Sequence, residues 1–218
     1  RCAIEYNYVR PIIKSDEKSN SYIDAKQLRH PLIERLTTDT TYIPNDIKLG
    51  KDGDGILLYG VNGVGKSALS KAVGLNVVLA QMGMFVASKE FIYHPYENIF
   101  TRISGDDNIF KGQSSFVVEM NELRSILKYS NSKSLVLGDE VCKGTEDLSA
   151  TALVASAIKQ FSDKNVNFIL ATHLHKLYEL EVIKNISNIK FMHLDIKYDN
   201  NLKEIIYGRK LKEGIGEA

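Results

Sequence analysis

Eight residues, GVNGVGKS at positions 60–67, restrict this chain more than any other stretch, because they satisfy the pattern G-x-x-x-x-G-K-[S/T] at every fixed position. A loop of this kind needs a buried strand before it and a helix after it. Both flanks comply: Ile56, Leu57, Leu58 and Tyr59 form a short apolar run suited to a buried strand, and residues 67–81 read as a helix. Gly60, Gly63 and Gly65 let consecutive backbone N–H groups turn inward on an anion, and the helix presents the positive end of its dipole to the same phosphates. The expected unit is a nucleotide-binding domain whose loop contacts are Gly60, Val61, Asn62, Gly63, Val64, Gly65, Lys66, Ser67 and Ala68. Lys66 is expected to reach the β- and γ-phosphates. Ser67 is expected to place its hydroxyl on Mg²⁺, an ion that keeps several waters and takes only one or two protein oxygens.

Composition narrows the partners. The chain has 28 lysines and arginines against 27 acidic residues, a net charge of +1, so charge supplies no argument for a nucleic-acid or membrane surface. Cys2 and Cys142 lie far apart and form no C-x-x-C pair, which fits a reducing compartment (nucleus, cytoplasm or organelle) and argues against a disulfide or zinc site. No apolar run approaches membrane-spanning length, so no membrane partner is expected. The start, RCAIEYNYVRP, has neither an initiator methionine nor a signal core, and LKEGIGEA closes without a cap or strand. The expectation is one domain cut from a longer protein, with a β-rich portion at residues 1–50 and the nucleotide-binding core at 51–218.

Along the chain, the polar run at 14–21 separates two apolar stretches and suits a hairpin or exposed loop. Residues 29–36 and 43–60 read as strand-rich, with a GKDGDG turn before the phosphate-loop strand, and His30 reads as structural. MFVAS (84–88) and ENIFTRIS (97–104) read as strands, and 106–115 as a polar loop long enough to be functional. Residues 115–127 carry helical spacing, 134–138 a buried strand, 151–161 an alanine-rich helix and 167–171 another apolar strand. This alternation predicts an α/β fold, a mostly parallel central sheet flanked by helices with an antiparallel β portion at the N-terminus. It also gathers residues 60–67, 139–140 and 172–173 at the carboxyl ends of the strands.

Two of those strand ends carry further chemistry. In SLVLGDE the apolar strand delivers Asp139, suited to hold Mg²⁺, and Glu140, suited to orient an attacking water. ATH ends the next strand, where the His173 imidazole can sense or stabilise a γ-phosphate. His173 and His175 have an i, i+2 spacing, but no cysteine or histidine cluster completes a zinc site.

Taken together, RHPLIE, GVNGVGKS, IFTRISGDD, GQSSFVVEMNE, LVLGDEVCKGTE and ATH resemble the ATPase domain of the MutS DNA mismatch-repair family, in that order and over nearly the whole chain. The tract IFTR…G-x-S-[S/T]-F-x-x-E-M separates that family from other ABC-type ATPases. The resemblance implies an ABC-type P-loop NTPase fold that hydrolyses ATP with Mg²⁺. It implies nucleotide sites shared across a dimer with a second MutS-like subunit, and duplex DNA engaged through domains outside this chain. By similarity Asn62 faces the nucleotide, and Glu140 and His173 are catalytic. Ser114 is the signature serine offered to the γ-phosphate of the partner, and Arg209 lies near the position that stacks on adenine. One departure stands out: Ser149 and Ala150 occupy the places where the family usually has aspartate and glycine, as in outlying organellar and viral branches. That altered loop suggests an alternative, a nucleotide-gated dimerisation module with little hydrolysis. A second alternative, another ABC-type DNA-repair ATPase, is disfavoured because no long coiled coil separates the phosphate loop from the signature tract. Cys142 reads as a small packed hydrophobe.

Overall fold

Two kinds of strand are written into the chain. YIDAKQL and NDIKL alternate apolar and polar residues, as strands with one wet face do, whereas GILLY and NFILA are unbroken apolar runs suited to burial on both faces. The computed structural model, which describes residues 2–14, 19–36, 41–102, 115–142, 145–199 and 204–216, sorts them into two sheets. In chain order the elements are α1 (Cys2–Glu5), β1 (Ile12–Ile13), β2 (Tyr22–Leu28), α2 (Ile33–Leu36), β3 (Asn45–Leu49), β4 (Gly55–Tyr59), α3 (Lys66–Gln81), β5 (Glu90–His94) and β6 (Asn98–Arg102). Then follow α4 (Ser115–Tyr129), β7 (Ser134–Asp139), α5 (Asp147–Asp163), β8 (Asn167–Ala171), a 3₁₀ turn (His175–Glu179), α6 (Glu181–Lys184), β9 (Ile189–Asp199) and β10 (Glu204–Glu213).

The larger sheet has the order β10-β9-β4-β8-β7-β6 and is parallel from β9 to β6, with β10 antiparallel at one edge. Its central strands divide their side chains between two cores. Ile56, Leu58, Leu135, Leu137 and Ile169 face α3 and the smaller sheet, while Leu57, Tyr59, Val136, Phe168 and Leu170 face α5 and the segments around Leu177 and Ile183. Both sets are buried, and each leucine or isoleucine contributes roughly 1.5–3 kcal/mol by leaving water. Among the described residues, no helix is long and apolar enough to cross a membrane.

The smaller sheet has the order β1-β5-β2-β3. It corrects several expectations. β1 and β2 do not pair as a hairpin across residues 14–21; each lies beside β5, β1 parallel to it and β2 antiparallel. Residues 84–88 form no strand but a single bridge, Val86 to Val9, and the strand is Glu90–His94, which finds a full partner in β2. The smaller sheet is therefore not confined to residues 1–50. Residues 33–36, expected in a strand-rich stretch, form a helical turn that His30 caps: its Nδ1 accepts from the N–H groups of Leu32 and Ile33, each at 3.2 Å. Burial lowers the His30 pKa, which keeps the ring neutral for that task. The C-terminal ladder of β9 and β10 was not anticipated, and β10 runs through LKE, where no closing strand was expected.

Asn76 explains how α3 is fixed to the smaller sheet. Asparagine is a poor helix former, yet this one is fully buried within α3. Its Nδ2 donates to Arg29 O at 2.9 Å and its Oδ1 accepts from Ala87 N–H at 2.7 Å, so one side chain ties the helix to the end of β2 and the approach to β5.

A stability prediction follows from Gly55, at the start of β4. A Cβ there would lie 2.0 Å from Cζ of the buried Phe168, whose ring packs on Phe161 at 5.6 Å. Gly55→Ala is expected to destabilise the fold by roughly 1–3 kcal/mol through overpacking, read as a lower denaturant midpoint with an unchanged slope. An unshifted midpoint would show that the β4–β8 contact is looser than described.

Candidate functional site at the carboxyl edge of the large sheet

The buried strand β4 ends at Tyr59, and the next residues leave the sheet in a conformation that only glycine adopts cheaply. Gly60, Gly63 and Gly65 have φ of 143°, 80° and 114°. Val64, fully buried, anchors the loop from below, and a Cβ at Gly60 would crowd its Cγ1 at 3.1 Å. α3 starts at Lys66, one residue before the expected helix, with Gly65 at its N-cap and no side chain capping it.

Lys66 turns back over the loop. Its Nζ donates to Gly60 O at 2.5 Å and Val61 O at 3.1 Å and lies 3.5 Å from His173 Nε2. Only 5% of the residue is exposed; burial lowers its pKa, while Glu140 and Asp139 pull the other way. The Ser67 hydroxyl donates to Asp139 Oδ2. Asp139 is buried at the end of β7, held opposite Ala171 of β8.

Immediately after it, Glu140 takes φ +49°, an unusual value for a side-chain-bearing residue, while its N–H donates to Ala171 O at 2.9 Å. That turn delivers the carboxylate to His173, with Nε2 2.6 Å from Glu140 Oε1. His173 is placed by the end of β8, where Thr172 N–H donates to Leu58 O and the Thr172 hydroxyl accepts from Leu174 N–H, each at 3.0 Å. The structure thus brings together Lys66, Ser67, Asp139, Glu140 and His173 from three strand ends. Asn62 is exposed at the loop's tip. Ser114 lies outside the described residues, as does nearly all of the polar loop expected at 106–115.

A pocket of about 190 Å³ continues from the loop. Gly63, Val64, Gly65 and Ala68 form its floor, Tyr42, Ile43 and Asn45 one wall, and Leu194 and Arg209 the other. Burial, with Glu34 nearby, pushes the Tyr42 phenol up to about 12, so it stays a neutral aromatic wall. Tyr42, Ile43 and Asn45 were missed from sequence. The usable signal was an aromatic–aliphatic pair, YI, just before β3.

Around the site, Cys142 is buried with its thiol raised to about 11, first by burial and then by Glu119. Its N–H donates to Glu119 Oε1 at 2.7 Å. Ser149 turns its hydroxyl to Glu146 Oε1 at 3.0 Å, and Ala150 is buried in α5. Among the described residues, no group of three or more His, Cys, Asp and Glu stands in metal-binding geometry, and His175 lies against the Tyr59 ring at 5.7 Å. A hydroxyl and one carboxylate, as at Ser67 and Asp139, are the hard oxygen donors that suit an ion keeping most of its waters.

Residues 56–218 match the family model of MutS domain V. Over 99% of its length the chain is 41% identical to a putative DNA mismatch repair protein mutS homolog of Acanthamoeba polyphaga mimivirus, covering 22% of that protein. It is 42% identical to a mitochondrial DNA mismatch repair protein mutS homolog of Sarcophyton glaucum, over 99% of the chain and 22% of the relative. To the DNA mismatch repair protein MutS of Finegoldia magna it is 37% identical, over 98% of the chain and 24% of the relative. The chain therefore spans less than a quarter of the length of these relatives.

Proposed function

Because this chain belongs to the MutS family, matching its domain V, we propose that it binds ATP with Mg²⁺ and hydrolyses it. In this reading it is the ABC-type P-loop motor of a MutS-like DNA mismatch-repair protein. The observation that carries the proposal is the convergence of Lys66, the Ser67–Asp139 pair and the Glu140–His173 pair at one sheet edge. The glycine cradle at 60, 63 and 65 and the dipole of α3 would hold the phosphates. Lys66, already turned over the loop, would exchange its two carbonyl partners for phosphate oxygens. Ser67 and Asp139 would hold Mg²⁺, which when bound neutralises charge developing on the phosphate oxygens. Glu140 would orient the attacking water and draw off its proton, with His173 fixing the carboxylate in place. The pocket beyond Gly63 would take the base between Tyr42 and Arg209.

In the same reading a second MutS-like subunit completes each site through Ser114, and duplex DNA is engaged by domains outside this chain. Phosphate release under multiple turnover tests the enzyme. Sustained release that needs Mg²⁺ and stops with a chelator is expected; tight ATP binding with no release beyond one equivalent would favour a nucleotide-gated dimerisation module instead.

A further inference from the structure

β10 breaks its ladder with β9 beside the pocket. Tyr207 pairs with Ile196 and Leu211 with Leu194, so four residue steps on β10 span two on β9. Gly208, Arg209 and Lys210 thus stand opposite Asp195 alone, two residues more than the ladder needs, with Arg209 at φ +53°. A side chain on Gly208 would meet Asp195 Oδ2 at 3.1 Å, which favours glycine beside the bend. A bulge of this kind leaves backbone groups without ladder partners, and inside a protein they need others.

Here one side chain supplies them. Asn45, only 3% exposed at the start of β3, donates from Nδ2 to Arg209 O at 3.0 Å and accepts at Oδ1 from Leu211 N–H at 2.7 Å. A carboxamide has the same donor and acceptor as a peptide unit, so Asn45 stands in for the missing strand across the bulge. Its Nδ2 also reaches Ile43 O at 3.3 Å, and Lys210 Nζ donates to Pro44 O at 2.8 Å, so the Tyr42–Ile43 wall and the Arg209 wall are strapped to each other. The first leads into β3 of the smaller sheet, and Arg209 belongs to β10 of the larger one.

We infer that Asn45 is a positioning residue for the nucleoside half of the ligand: it fixes the Arg209 bulge and the Tyr42–Ile43 segment at the separation that a base needs. The inference rests on the reading that this site takes a nucleoside triphosphate. The phosphate half is held by a different set of groups, the loop and Lys66, so Asn45 should matter only when a base is present.

Calorimetric titration of the chain with Mg·ATP and, separately, with Mg²⁺ and inorganic tripolyphosphate separates the two halves. Asn45→Asp keeps the acceptor for Leu211 N–H but faces Arg209 O with an oxygen. It is expected to weaken ATP roughly 10- to 100-fold, the scale on which a stacked base contributes, and to leave tripolyphosphate unchanged. Arg209→Ala should give the same selective loss, and the double variant should lose little more than either single, because both act on one contact. Unchanged ATP affinity in Asn45→Asp, or equal loss of both ligands in a variant with native circular dichroism, overturns the inference. Should Asn45→Asp fail to fold, Asn45→Ser removes the bridge to Arg209 O without adding a charge, and an absent ATP-selective loss there overturns it equally. A parent chain that binds neither ligand overturns the nucleotide reading itself, and this inference with it.

Discussion

The Glu140→Gln chain is expected to hold Mg·ATP as tightly as the parent while releasing phosphate roughly 10²–10⁴ times more slowly. The backbone places this residue independently of its charge: the N–H bond to Ala171 O and the turn at φ +49° do not depend on the carboxylate. Glutamine keeps the shape and one oxygen for His173, now 2.6 Å away, but it cannot take a proton from water. Binding and turnover should separate. Single-turnover mixing with radiolabelled ATP, alongside a binding titration, reads both quantities in one preparation. If affinity and rate fell together, Glu140 would belong to nucleotide binding and the water-orienting role would have to pass elsewhere.

Lys66→Ala is expected to lose at least about a hundredfold in Mg·ATP affinity. Two charge-assisted hydrogen bonds at about 1.5–3 kcal/mol each set that scale, and every 1.4 kcal/mol is a factor of ten. The side chain is buried and donates to the carbonyls of Gly60 and Val61, acceptors that phosphate oxygens would replace, with His173 at 3.5 Å. Its ammonium donates to two carbonyls, and burial lowers its pKa against the pull of Glu140 and Asp139, so removing it should cost the fold itself little. Calorimetry with Mg·ATP and a thermal melt of the empty chain make the comparison. Undiminished affinity would sink the assignment of residues 60–67 to phosphate.

How far the sequence foretold the placement of the candidate residues depended on whether a feature was local. The loop at 60–67 was legible because its glycines and lysine answer to backbone conformation and charge within eight residues. Asp139, Glu140 and His173 were legible because unbroken apolar runs announce buried strands, and a parallel sheet brings their carboxyl ends to one edge. Of the smaller sheet only the N-terminal antiparallel portion was, where β2 pairs with β3; its strand β5 was not. MFVAS is as apolar as EFIYH, and only the partner decides: β2 pairs with Glu90–His94 over five residues, while Val86 meets Val9 alone. Asn45 was unreadable for a similar reason, since its work lies at Arg209 and Leu211, more than 160 positions away. In β9 and β10 the bulge interrupts the period-2 pattern that would have marked them.

The asparagine in the middle of α3 has a mechanical consequence. With 16 residues at about 1.5 Å each, α3 is a rod about 24 Å long, and Asn76 bolts it to the smaller sheet about 15 Å beyond Lys66. A helix held at its first turn and again at its eleventh residue keeps the loop and the smaller sheet at a set distance from each other. A tilt of the first turn of α3 would therefore be felt at Arg29 and Ala87, the two backbone groups that Asn76 holds beside the smaller sheet.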